Sequence, residues 1–203
     1  MSATHWDGAY QRNGAESVSC FEPRPALSLQ LIAACGLGAD APMVDIGGGA
    51  SGLALGLLEL GYQHLTVLDI SAQALALARD RMGAGAARVD FVVGDATDWQ
   101  PKTRFALWHD RAVFHFLTEP ADRTRYVAIL RASVLPGGFV VMATFAPDGP
   151  ERCSGLPVRR YDAELLAAEL GAAFTLVETH RHAHRTPGGA VQNFMYARYQ
   201  RAV

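Results

Sequence analysis

Residues 44–52, "VDIGGGASG", decide the reading of this chain. Val44 and Ile46 flank Asp45 in a short apolar run that reads as a buried strand. Gly47, Gly49 and Gly52 then follow in the spacing G-x-G-x-x-G. A turn of this kind between strand and helix lets the backbone approach a nucleotide closely. Asp45 is the discordant element. A carboxylate beside the turn repels a pyrophosphate and attracts a ligand carrying positive charge.

Outward from this turn, β-rich and helical runs alternate. "MVDIG" (43–47) is the first strand, and "SGLALGLLEL" (51–60) is an apolar helix closed by Gly61. "HLTVLDI" (64–70) is the second strand, and 71–82 is a helix that Ser71 is placed to cap. "RVDFVVGD" (88–95), "FALWHDR" (105–111) and "GFVVMATF" (138–145) are three further strands. Helices over 122–134 and 162–170 lie among and after them. Residues 174–182 and 192–200 alternate as two strands joined by a hairpin around Pro187-Gly188-Gly189, and so run antiparallel to each other. Residues 1–41 read as a leading helical segment and 146–160 as a loop. Repeated βα units imply an α/β protein with a doubly wound, seven-stranded sheet, mostly parallel with an antiparallel C-terminal strand.

In such a sheet ligands bind at the carboxyl ends of the strands. Asp45, Asp69 and Asp95 fall in or near the ends of the first three. Asp69 lies about 20 residues past the turn, where a carboxylate accepts from both hydroxyls of a ribose. A dinucleotide or an adenosine cofactor would explain that residue. Asp45 and Asp95 favour the second, because a sulfonium with an α-amino group is drawn to carboxylates. Asp45 would serve the amino-acid end, directly or through the turn. Asp95 would accept from the adenine amine while Ala96 donates its N–H to the ring, and Ile70 would lie beside the site.

"VDIGGGASGLALGLLELG…LTVLDIS", "VDFVVGDATD" and "LRASVLPGGFVVM" together resemble the class I S-adenosylmethionine-dependent methyltransferases over residues 43 to about 145. The resemblance implies a Rossmann-like core over 42–145 and S-adenosylmethionine as cofactor. The whole of 1–203 is then expected to be one methyltransferase domain, with 1–41 a lid segment and 146–203 an acceptor-side loop and terminal strand pair. "HWDGAYQR" resembles the Trp-Asp-x-x-Tyr opening of compact relatives of the thiopurine and tellurite type. It implies that Trp6 and Tyr10, at i, i+4 spacing, cover the cofactor.

The fourth strand, "LWHDRAVFHFL", would border the sulfonium methyl in that family. His109, Asp110, Arg111 and His115 are therefore the candidate catalytic group, the histidines being candidate general bases and His109 also a cofactor contact. "DRAVFH" partly resembles the Asp-Lys/Arg-Gly-Thr-x-Asp segment of small protein-lysine methyltransferases. Ala112, Val113 and His115 stand where that segment has glycine, threonine and the last aspartate. Loss of the aspartate weakens attraction for an ammonium acceptor. Phe145, Arg152, Cys153, Arg159, Arg160 and Tyr161 follow the fifth strand and are candidates to line the acceptor pocket. The expected reaction is in-line displacement onto a small soft nucleophile, a thiol or related chalcogen, whose reference pKa of about 8.5 asks little of a base. A protein-lysine acceptor and a non-catalytic cofactor-binding module are the alternatives.

Composition bounds the partners. A net charge of −2 over 203 residues gives no broad basic surface, so a small-molecule substrate is expected rather than nucleic acid. Apolar runs are too short for a membrane span. Cys20, Cys35 and Cys153 lack metal or redox spacing, which fits free thiols in the cytoplasm. His180, His182 and His184 alternate onto one strand face, read as an exposed strand end with no metal. Oligomeric state is unreadable.

Overall fold

The computed structural model describes residues 2–14 and 18–203. Two helices, α1 (Ala3–Asn13) and α2 (Ala26–Ala33), precede β1 (Met43–Ile46). The βα units that follow are α3 (Leu53–Glu59), β2 (Leu65–Asp69), α4 (Ala72–Met82), β3 (Val89–Val93), β4 (Phe105–Arg111), α5 (Pro120–Ser133) and β5 (Val134–Phe145). A short hairpin, β6 (Arg152–Cys153) and β7 (Leu156–Pro157), leads to α6 (Ala163–Leu170), β8 (Phe174–Arg185) and β9 (Val191–Arg201).

The seven-stranded sheet has the order β3-β2-β1-β4-β5-β9-β8. Strands β1 to β5 pair in parallel, and β9 enters antiparallel between β5 and β8. This is the arrangement expected from the sequence. Strand order reverses between β1 and β4, where a crevice opens at the carboxyl ends.

The pleat sends alternate residues to two separate cores. Met43, Val67, Leu107 and Val141 pack with α2 and α3 on one face, while Val44, Ile46, Trp108 and Met142 pack with Tyr126 and Leu130 of α5 on the other. Asp45 lies opposite His109 on the first face, and Ile46 lies opposite Asp110 on the second. The two carboxylates thus enter different environments although both strands end at the same crevice.

Four boundaries differ from the sequence reading. Strand β3 stops at Val93, so Asp95 sits in the following turn. Strand β5 starts at Val134 instead of Gly138, with an irregular register between Val134 and Phe139 that takes in Pro136-Gly137. The 146–160 segment carries the β6–β7 hairpin. Strand β8 continues through all three alternating histidines, and His184 is buried rather than on an exposed end.

Candidate active site

A cleft of about 560 Å³ opens at the carboxyl ends of β1, β2 and β4. Its walls include Trp6, Tyr10, Gly47, Asp69, Ile70, Asp95, Ala96 and Phe116. Gly47 is left-handed, with φ of 64°, and a Cβ there would stand 2.1 Å from Val113 Cγ2. At Gly49, φ is 29° and a Cβ would stand 2.6 Å from Asp69 Oδ2. Only glycine brings the turn this close to the carboxylate.

Asp69 is 7% exposed, and its Oδ1 accepts from the Ser71 N–H at 2.8 Å. Burial pushes its pKa up to about 7; hydrogen bonds from the Ser71 and Gly49 N–H groups oppose this, and the nearby Asp45 and Asp7 charges add to it. Among the described residues no cationic side chain pairs with Asp69. A buried carboxylate left in this condition favours a ligand that donates hydrogen bonds or brings positive charge. Asp95 Oδ1 accepts from the Thr97 N–H at 2.8 Å and its hydroxyl at 2.7 Å, which orients the carboxylate within the cleft wall.

A neighbouring chamber of about 440 Å³ shares Tyr10, Cys20, Gly47 and Arg111 with the cleft and adds Glu22, Asp45 and His109. Asp45 Oδ1 lies 2.7 Å from His109 Nδ1, and His109 Nε2 lies 2.9 Å from the Ser28 hydroxyl. With Nδ1–H donating to the carboxylate, Nε2 accepts from the serine, and both ring nitrogens are used. Arg111 donates through Nε to the Tyr196 hydroxyl at 2.8 Å, to the Cys20 carbonyl, and to Glu22 at 3.1 Å.

The remaining sequence candidates lie away from both chambers. Asp110 is fully buried, accepts from the Val113 and Phe114 N–H groups, and accepts from the Tyr126 hydroxyl at 2.5 Å. Burial raises its pKa, the Tyr126 hydrogen bond acting against the shift. His115, on a single 3₁₀ turn at Phe114–Phe116, is also fully buried, among Phe116, Phe145 and Phe194. Its Nδ1 accepts from the Phe145 N–H at 3.3 Å, and burial lowers its pKa to about 3. Of the loop candidates, Phe145, Cys153 and Tyr161 are buried in the cores, while Arg159 and Arg160 form ion pairs with Glu169 and Glu151. Arg152 is exposed and donates to the Gly155 carbonyl. None of the six lines either chamber.

Residues 43–138 match a family described as a methyltransferase domain. Over its core this chain is similar to methyltransferase domains, and its fold is that of solved S-adenosylmethionine-dependent methyltransferases. A ribosomal protein L11 methyltransferase of Geobacter metallireducens is 28% identical over 157 residues, which is 77% of this chain. The chain spans about half the length of that curated relative, 46% of it. A structure solved in work on conversion of a disulfide bond into a thioacetal group during echinomycin biosynthesis superposes with a TM-score of 0.78 at 21% identity. That alignment covers 99% of this chain and 93% of the other. The Burkholderia thailandensis 1,6-didemethyltoxoflavin-N1-methyltransferase, solved with its substrate and S-adenosylhomocysteine, gives 0.71 at 23% identity, covering 99% and 85%.

S-adenosylmethionine is bound in one solved structure of this fold and S-adenosylhomocysteine in others, and the cleft residues here fit such a donor. The features that fit it are the glycine turn and the buried Asp69, which has no cationic partner among the described residues. Sequence reasoning missed Ala112 and Phe116 in the cleft wall, and Asp7, which lies outside it. Asp7 accepts from the Ser71 hydroxyl at 2.6 Å and the Gln73 N–H at 3.3 Å, fastening α1 across the start of α4. It stood in plain view inside "HWDGAYQR", between the two aromatic residues that were singled out. Phe116 meets Trp6 edge-on at 5.2 Å, and Ala112 lines the cleft in a left-handed conformation with φ of 71°. That φ explains the resemblance at this position: Ala112 stands where the lysine-methyltransferase segment has glycine. No helix among the described residues is long and apolar enough to cross a membrane.

Proposed function

We propose that this methyltransferase acts on a small, soft acceptor, and that the acceptor provides its own nucleophile as a thiolate or similarly acidic group. The observation that carries this reading is the engagement of the expected bases. His115 is sealed in an aromatic core, Asp110 serves three donors, and His109 is held between Asp45 and Ser28. What remains along the acceptor wall is Trp6, Cys20, Arg111, Ala112, Val113 and Phe116. The hydrogen bond with Cys153, together with burial, pushes the Cys20 thiol well above its usual range, so it stays neutral. Arg111 borders both chambers, but its guanidinium is paired with Glu22 and donates to Tyr196 and the Cys20 carbonyl.

The bound donor supplies a methyl carbon already activated by a sulfonium. The chain's own residues then bind, orient and exclude water. Asp69 accepts from the ribose hydroxyls, Asp95 and Ala96 serve the adenine edge, and Asp45 acts on the amino-acid end while His109 fixes its rotamer. Trp6 and Tyr10 of α1 cover the cleft, and Asp7 holds that cover to α4. Desolvation and alignment then provide the acceleration, and a thiolate needs no further activation. The structural relative from the disulfide-to-thioacetal work is consistent with sulfur chemistry on this fold.

The test is a panel of thiols, amines, carboxylates and a lysine-rich protein lysate, read as S-adenosylhomocysteine release. Turnover confined to small thiols or other acidic nucleophiles supports the proposal. The curated relative favours a second reading, a protein acceptor. Tritium from labelled donor appearing only in macromolecules would establish that reading instead.

A further inference from the structure

We propose that Glu22, His182 and His184 form a three-ligand site for a zinc-class divalent cation at the wall of the second chamber. The site lies outside the donor cleft and uses no residue of the proposed methyl transfer. Glu22 Oε1 lies 3.0 Å from His184 Nδ1 and 3.4 Å from His182 Nε2, and one ligand atom from each residue falls within 4.8 Å of the others. Donors around a tetrahedral ion with bonds of about 2.0–2.1 Å stand about 3.3 Å apart. Glu22 already stands near that spacing from both histidines.

The protonation geometry points the same way. His184 is 3% exposed and its Nε2 lies 2.8 Å from the Ser19 carbonyl, which only accepts, so Nε2 carries a proton. In the neutral tautomer the Nδ1 lone pair then faces the Glu22 carboxylate, acceptor against acceptor. Something positive must stand between them. One extra proton, on His184 Nδ1, would do so, with His182 donating as its Nε2–H tautomer; one divalent ion satisfies all three residues together. A ligating histidine whose other nitrogen donates to a backbone carbonyl is the usual second-sphere arrangement at such ions. Two histidines and one carboxylate select zinc-like cations over magnesium or calcium.

Arg111 already donates to Glu22 Oε1 at 3.1 Å. In the loaded site that contact passes to the second carboxylate oxygen. One carboxylate and two neutral imidazoles leave the ion with net positive charge, so the fourth position suits an anionic ligand. Glu22 lines the second chamber, which places the ion at its wall.

The full chain, stripped with a chelator, is titrated with Zn²⁺ against a chromophoric competitor, with circular dichroism confirming the fold of each variant. One equivalent should bind with a Kd below about 1 μM, and His182→Ala should weaken it at least tenfold, to about 10 μM or more. His182 is half-exposed, so this variant is expected to fold. His180→Ala, whose histidine pairs with Glu178 at 2.7 Å, should bind as the wild type does. Co²⁺ in place of Zn²⁺ should give the intense visible bands of a tetrahedral site. Absence of binding overturns the proposal. So does unchanged affinity in His182→Ala, or loss of binding only in Cys20→Ser. None of these readouts depends on methyl transfer.

Discussion

The two sides of the crevice use polar residues in opposite ways. On the donor side, Asp69 and the Gly47–Gly49 turn face open space, and the carboxylate is buried without a cationic partner among the described residues. On the strand-β4 side, Asp110 and His115 are more deeply buried still, but they face the protein. Asp110 closes the turn after β4 through Val113 and Phe114, and His115 packs its ring against three phenylalanines. Burial alone therefore does not identify a reacting group. What separates the two sides is whether hydrogen-bonding capacity opens onto the cleft: His115 Nε2 also lacks a partner, but it is sealed in the core and lines neither chamber.

The largest effect should come from removing that capacity on the donor side. Asp69→Ala should weaken S-adenosylhomocysteine binding by at least about 100-fold in calorimetry, through loss of two charge-assisted hydrogen bonds. Retained affinity would put the ribose elsewhere. On the opposite side, Asp110→Ala should cost stability instead. Leaving the Val113 and Phe114 N–H groups and the Tyr126 hydroxyl unpaired removes about 2–3 kcal/mol and lowers Tm by about 4–12 °C. Turnover per folded molecule should survive. A collapse of kcat at unchanged Tm would make Asp110 a reacting group and erase the contrast.

The raised pKa of Asp69 gives a third expectation. The donor's hydroxyls bind the ionised carboxylate, whose population falls as pH drops through about 7. Affinity should therefore be steady above that pH and fall below it, by up to about tenfold per pH unit. Asp7, Asp45 and Tyr10 also face this carboxylate, so Asp69→Asn is the control that should flatten the profile. The smallest effect is expected at His115. His115→Asn keeps an acceptor for the Phe145 N–H and removes the imidazole. It should change kcat by less than about threefold, below 1 kcal/mol.

The cleft was legible in the sequence because its walls fall at the carboxyl ends of parallel strands, where Gly47, Asp69 and "GDA" line it, with Asp45 in the neighbouring chamber. The β4 side was not legible, because sequence gives a residue's strand position but not where its hydrogen bonds go. His109 and Asp110 are neighbours, yet the pleat turns one towards α2 and the other towards α5, where Tyr126 waits sixteen positions later. The histidine row shows the same limit from the other direction. Its alternation was visible, but Glu22 lies 162 positions from His184, and only the fold brings them together.

The pH dependence of kcat/KM, measured at saturating donor with a series of small thiols of different acidity, tests the central claim most directly. If the wall contributes no base, the rising midpoint should shift with each thiol's own pKa. A midpoint that stays at one pH across the series would reveal an enzyme group taking the proton, and would contradict the account.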